Sequence, residues 1–264
     1  MPDPVKPGAV ALITGAASGI GRAAALALAA RGMRVALADL PGEKLDSAAA
    51  EAGGLKIEVD LSRPGAVEAM RAALLPALGA PALLMNNAAS RAGRGFDAAP
   101  EDWRAAFEVN FWAVAEACRV FLPDMAAAGG AIVNTGSKQG ITNPPGHPAY
   151  NAAKAALKSW TEGLEHELRA RPGPRVSAHL LIPGWTTTGD AAHRPGAWLP
   201  EQVVDRMLAG LAAGDFYILC PDDETTEEMD RKRILWAAGD VAENRPPLSR
   251  WHPDWKERAA ASCS

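Results

Sequence analysis

The stretch AVALITGAASGIGRAAALALAARG, residues 9–32, joins a strand, a turn and a helix in one run. AVALIT (9–14) is apolar almost throughout and reads as a buried strand. GIGRAAALALAARG (19–32) is rich in alanine and leucine, which favour helix, and Gly32 ends it. Between them TGAASGIG (14–21) sets glycines at 15, 19 and 21. They let the backbone turn tightly and let a ligand approach without meeting a Cβ. The helix behind the turn offers unpaired N–H groups and a positive dipole end, which suit a pyrophosphate. The spacing is not the G-x-G-x-x-G of other dinucleotide folds, so the turn alone leaves its ligand open.

The pattern repeats along the chain. RVALADL (34–40), LKIEVDL (55–61), ALLMNNA (82–88), GAIVNTGS (130–137) and RVSAHLLIPG (175–184) read as five more strands. Helices are expected over 42–52, 64–77, 100–126 and 148–170. Apolar strands alternating with helices imply a parallel sheet covered on both faces, and right-handed crossovers make it doubly wound. After residue 184 a helix over 199–214, a seventh strand over 215–222 and a helix over 223–242, capped by Asp222 or Asp223, are expected. The expected architecture is one α/β, Rossmann-type domain with seven parallel strands and helices on both faces. Its core is 1–188, then a short lid, helix and strand over 189–222, and a C-terminal extension over 223–264.

Bulk properties narrow the function. The chain has 264 residues, 48% apolar, a net charge of −4 and a pI near 5.8. That balance argues against a nucleic-acid partner, which needs clustered lysine and arginine. No run approaches the ~18 apolar residues of a membrane span, and the N-terminus does not read as a secretory signal. Cys118, Cys220 and Cys263 are odd in number and far apart, which fits a reducing cytoplasm. Neither the cysteines nor His166, His179, His193 and His252 show metal-ligand spacing, so no metal is expected.

Asp39 ends the second strand, 18 residues after Gly21. A carboxylate there would accept hydrogen bonds from an adenosine ribose and repel a 2′-phosphate. Ser18 and Leu40 stand where a phosphate-binding cation would be, so NAD is expected over NADP. The alternative for Asp39 is a plain turn residue at a strand end. YNAAK (150–154) adds a phenol and an amine four positions apart, side by side on a helix.

Taken together, the chain resembles the short-chain dehydrogenase/reductase family over residues 9–188. The matching pieces are TGAASGIG, Asp39, VDL (59–61), NNAA (86–89), Asn110 in FEVNF, NTGS (134–137), YNAAK and PGWTTT (183–188). Their order and spacing are specific, with Ser137 lying 13 residues before Tyr150. Ala89 and Gly136 depart from the usual glycine and serine, small for small. The resemblance implies an oxidoreductase acting on an alcohol or ketone, with Asn110, Ser137, Tyr150 and Lys154 as its reaction centre. Gly15, Ser18, Gly19, Ile20, Gly21, Asp39, Asp60, Leu61, Asn87, Ala88, Tyr150, Lys154, Pro183, Gly184, Thr186 and Thr188 would hold the cofactor. Asn110 would hold a water in a proton relay, and Thr186 and Thr188 would meet the nicotinamide carboxamide. It also implies a homodimer or homotetramer paired through the helices at 100–126 and 148–170.

A free tyrosine is a poor base at neutral pH, with a pKa near 10. An adjacent ammonium and the positive ring of an oxidised nicotinamide would both favour its phenolate, so Lys154 and the cofactor together are expected to lower Tyr150. Asn143, His147, Trp185 and Trp198 are expected nearest the substrate, with His147 either meeting a polar substituent or standing solvated in a rigid loop. The loop SRAGRGFDAAP (90–100) carries two arginines that either meet an acidic group or stay wet. Trp236, Trp251 and Trp255 either cover the pocket or pack the extension in place. Epimerisation or dehydration on the same fold would call for a longer substrate domain. A catalytically silent nucleotide sensor or scaffold would have lost Tyr150 or Lys154.

Overall fold

The computed structural model describes residues 3–189 and 191–263, so Asp190 in the short lid, the first two residues and Ser264 lie outside the described residues. Strand β1 (Val10–Thr14) leads through the glycine turn into helix α1 (Gly19–Ala30). There follow β2 (Arg34–Asp39), α2 (Glu43–Ala52), β3 (Leu55–Glu58), α3 (Ala66–Leu78) and β4 (Leu83–Asn86). Next come α4 (Pro100–Phe107), a π-helical stretch Glu108–Trp112, α5 (Ala113–Met125) and β5 (Gly130–Thr135). The chain continues with α6 (Gln139–Thr142), α7 (Pro148–Ala170), β6 (Val176–Ile182), α8 (Pro200–Ala213) and β7 (Tyr217–Leu219). The extension holds α9 (Glu227–Ala242), a 3₁₀ turn Ser249–Trp251 and α10 (Lys256–Cys263).

All seven strands run parallel in one sheet of order β3-β2-β1-β4-β5-β6-β7. Each strand sends alternate side chains to opposite faces. Ala11, Ile13, Val35, Leu37, Leu83 and Val133 pack with Leu28 of α1, Leu45 of α2 and Met207 of α8. Val10, Leu12, Ala36, Leu84 and Ile132 pack with Met70 of α3, Phe121 of α5 and Leu157 of α7. The strands are therefore buried on both faces, which is why they read as continuous apolar runs rather than alternating ones. The order reverses direction between β1 and β4, and at such a switch point ligands bind beyond the carboxyl ends of the strands.

One expectation is refined here and one corrected. The helix expected over 100–126 runs from Pro100 to Met125, with a π-helical stretch inside it where Asn110 is fully buried. Its side-chain amide donates to Ser90 O at 2.7 Å and to Ala106 O at 2.8 Å, pinning the break to the loop after β4. The cap of α9 is Thr226, whose hydroxyl accepts from Met229 N at 3.2 Å. Asp222 serves elsewhere, as described below. No helix among the described residues is long and apolar enough to cross a membrane.

Candidate active site

A cleft of about 1010 Å³ runs along the carboxyl ends of the strands. One end is built by the glycine turn. A Cβ on Gly15 would lie 2.8 Å from the Ala88 backbone, and the residue sits at φ +66°. A Cβ on Gly21 would lie 2.1 Å from Gly15 O. Only glycine at both positions brings α1 this close to β1 and β4, leaving the turn's amides facing the cleft. Asn87 closes the seam, its side-chain amide donating to Thr14 O at 3.2 Å and Gly15 O at 3.3 Å. Asp39 accepts from Ala17 N at 2.8 Å and Leu40 N at 2.7 Å, so its carboxylate is fixed at the mouth of the turn. Asp60 accepts from Ser62 and Arg63, and these bonds hold its carboxyl below the usual carboxylate range.

The cofactor residues expected from sequence line this cleft, apart from Gly21, which lies under the turn. This is the backbone cradle a dinucleotide needs: glycines with no room for Cβ atoms, a helix N-terminus and a fixed carboxylate beside it.

At the other end stand Ser137, just past β5, and Tyr150 and Lys154 on α7. Pro148 at the start of α7 and the alanines after it favour helix, and the four-residue spacing stacks the phenol and the amine on one face. Lys154 is 2% exposed, its ammonium nitrogen donating to Thr135 O at 2.7 Å and lying 5.7 Å from the Tyr150 ring centre. Burial, and then the Arg91 charge, push the Lys154 pKa down to about 7. Burial pushes Tyr150 above its ordinary value, against the charge of Arg91 and a hydrogen bond with Ser137. Among the protein's own groups, burial outweighs the cations at the phenol, and Arg91 is the charge that opposes it. Ser137 Oγ accepts from Gln139 N at 3.1 Å, which fixes its rotamer.

The comparisons decide the family. A family model described as short chain dehydrogenase matches residues 9–195. The chain belongs to the short-chain dehydrogenase family. It is similar to the 3-oxoacyl-acyl-carrier-protein reductase FabG of Thermotoga maritima, 32% identical over 216 residues, covering 79% of this chain and 85% of that one. It is similar too to a short-chain dehydrogenase/reductase of Burkholderia phymatum solved with NAD. That match has TM-score 0.83 and 31% identity, covering 92% of this chain and 97% of that one. A short-chain dehydrogenase of Burkholderia cenocepacia solved with NADP matches at TM-score 0.71 and 30% identity, over 78% and 91% of the two chains. A short-chain dehydrogenase is an oxidoreductase acting on small alcohols or carbonyl compounds, and its solved neighbours support a nicotinamide cofactor here.

Within this short-chain dehydrogenase the substrate residues divide. Trp185 lines the cleft; Asn143, His147 and Trp198 do not. Asn143 ends α6 in the left-handed region, and its side-chain oxygen accepts from Asn151 at 3.0 Å. His147 precedes α7, where burial, then Arg94 and Arg91, push its pKa down. Trp198 packs against the core, with its indole N–H donating to Asp223 at 3.1 Å. None of Trp236, Trp251 and Trp255 lines the cleft. Trp236 donates to Ser249 Oγ at 2.7 Å and meets Trp255 edge-on, so the extension packs on itself.

The sequence reading missed Lys138. Its ammonium bridges Asp222 at 3.1 Å and Asp230 of α9 at 2.6 Å. Burial would raise Asp222, but the Trp185 N–H at 3.0 Å and Lys138 outweigh it and hold that carboxyl low. No local pattern signals this pairing, because Lys138 and Asp222 come from distant parts of the chain. Among the described residues no group of three His, Cys, Asp or Glu gathers as a metal site requires.

Proposed function

We propose that the protein is an NAD(H)-dependent dehydrogenase or carbonyl reductase in which Tyr150 is the general acid and base. The observation carrying this reading is that Ser137, Tyr150 and Lys154 share one end of the cleft whose other end is the glycine turn. Bound there, a nicotinamide dinucleotide supplies the hydride acceptor for oxidation and the donor for reduction. Gly15, Ser18, Gly19, Ile20 and Gly21 would receive its pyrophosphate, and Asp39 its adenosine ribose. The fixed Asp39 carboxylate, beside Ser18 and Leu40 rather than a cation, repels a 2′-phosphate and favours NAD over NADP.

In oxidation Tyr150 Oη takes the proton of the substrate hydroxyl; in reduction it returns a proton to the carbonyl oxygen. Ser137 Oγ donates a hydrogen bond to that oxygen and stabilises its developing charge. Lys154 holds ribose hydroxyls and, in its charged form, favours the phenolate. Asn110 holds the π-helical break beside this centre and positions a water for proton exit. Trp185 forms a substrate wall. A homodimer or homotetramer is part of the reading, supported by Trp112, 56% exposed beside α5, and so is a cytoplasmic location, supported by three free, buried cysteines. A silent sensor is not favoured, since it has no use for a lysine buried at this cost.

Tyr150→Phe tests the assignment. Turnover of a panel of alcohols and ketones, followed by NADH absorbance, should fall ~10³-fold, as expected for loss of a general acid–base. NADH affinity should hold. Near-normal turnover by the variant removes Tyr150 from its role.

A further inference from the structure

Among the described residues, the carboxylates lining the cleft are Asp39, at the end of β2, and Asp60, after β3, both at the adenosine end. Around the reaction centre the lining charges are Arg91, Lys138 and Lys154. Lys138 is balanced by Asp222 and Asp230. Arg91 has no ion pair among the described residues; its guanidinium instead lies over the Tyr150 ring, 5.2 Å from the ring centre. It also opposes charge on its neighbours, acting on Lys154 and on His147 in the same direction. Arg91 is exposed, so water solvates its charge in the open cleft and leaves the guanidinium free to meet an anion there.

The glycine turn, where the pyrophosphate belongs, is formed after β1, whereas Arg91 follows β4 and stands over the residue that meets the substrate oxygen. The anion is therefore one carried by the substrate. We propose that Arg91 determines specificity for a substrate bearing a carboxylate on the carbon next to the carbinol or one further along, an α- or β-hydroxycarboxylate or the matching oxo acid. The ring position sets that separation: an anion held by a guanidinium over the Tyr150 ring lies only a few bonds from an oxygen at Tyr150 Oη. A planar guanidinium grips a carboxylate bidentately, which fixes orientation as well as affinity. Gln139 lines the same end with a buried side-chain oxygen that has no hydrogen-bond partner; that oxygen accepts, so it would meet a substrate hydroxyl and not the carboxylate. The inference rests on the oxidoreductase reading above and names its substrate class.

The test compares wild type, Arg91→Gln and Arg91→Lys on α- and β-hydroxycarboxylates and on their methyl esters, with NAD. The wild type should prefer the acids. Arg91→Gln should lower kcat/KM for them on the order of a hundredfold, mostly through KM, as loss of a charge-assisted contact does. The esters, which lose only the effect of the Arg91 charge on Tyr150, should fall much less than the acids and through kcat, and Arg91→Lys should recover part of the acids' loss. Equal losses on acid and ester carried by kcat would make Arg91 a partner of Tyr150 alone and overturn the proposal, as would a wild-type preference for the esters. A second arm needs no turnover: malonate binding to the protein with NADH, by calorimetry. Binding that Arg91→Gln abolishes supports the proposal, and no binding to the wild type overturns it. Failure of NADH itself to bind is a different result, which brings down the oxidoreductase reading and this inference with it.

Discussion

Replacing Lys154 by Met should make the protein more stable while removing its activity. The side chain is 2% exposed, and burial lowers its pKa from 10.5 to about 7. A lysine with a lowered folded pKa binds its proton more weakly folded than unfolded. The unfolded chain then holds more protons between pH 7 and 10.5, so wild-type stability rises with pH through that window. At about 1.4 kcal/mol per pH unit, a fully charged Lys154 costs the folded state about 5 kcal/mol. About 3 kcal/mol of that is relieved between pH 7 and 9.5. Methionine fills similar space without charge, and the lost bond to Thr135 O offsets about 1 kcal/mol at every pH. Urea denaturation of both proteins, without added nucleotide, over pH 7–9.5 measures the difference. The excess stability of Lys154→Met should be largest at pH 7 and shrink by about 3 kcal/mol by pH 9.5. A difference that stays flat with pH, or a variant less stable at neutral pH, refutes the claim that Lys154 is held against a large desolvation cost.

Two further predictions concern the cofactor end. Gly21→Ala puts a Cβ 2.1 Å from Gly15 O, a backbone atom that cannot rotate away, so α1 must shift; NADH affinity by fluorescence titration should fall ~10-fold or more, with a lower Tm. Asp39→Ala removes the carboxylate that opposes a 2′-phosphate and the acceptor of Ala17 N; the NAD-to-NADP ratio of kcat/KM should drop ~10-fold or more, and an unchanged ratio refutes the role given to Asp39.

The strand–helix alternation was legible because both faces of the sheet are covered, which leaves each strand an apolar run and each helix an amphipathic one. Helix α7 was read at its observed limits, since Pro148 starts it and no long-range contact interrupts it. The long helix before it was read at nearly its observed limits too, but without the π-helical stretch inside it. The π-helical break at Glu108–Trp112 is held by bonds from Asn110 to Ser90, and no window of sequence contains that partner. Strand β3 ends at Glu58 rather than 61, because it pairs on one side only, with β2. Residues read from a local pattern, such as the glycine turn, Ser137, Tyr150 and Lys154, line one cleft in the structure. Residues that act through a distant charge were not legible: Arg91 stayed an open alternative and Lys138 went unremarked.

That distinction explains the C-terminal extension as well. Its tryptophans suggested a cover, yet its grip on the site is ionic. Lys138 follows Ser137 directly and joins Asp222 to Asp230 of α9. Asp222 in turn accepts from Trp185 N, and Gly184 has no room for a Cβ, which would lie 2.6 Å from Asp222 Oδ2. One buried cluster therefore ties the residue after Ser137, the loop after β6 and the extension together. Drawn from three separate segments, it braces the catalytic end, where Lys138 itself lines the cleft. The extension buttresses the cleft through this ionic cluster, and its tryptophans pack elsewhere.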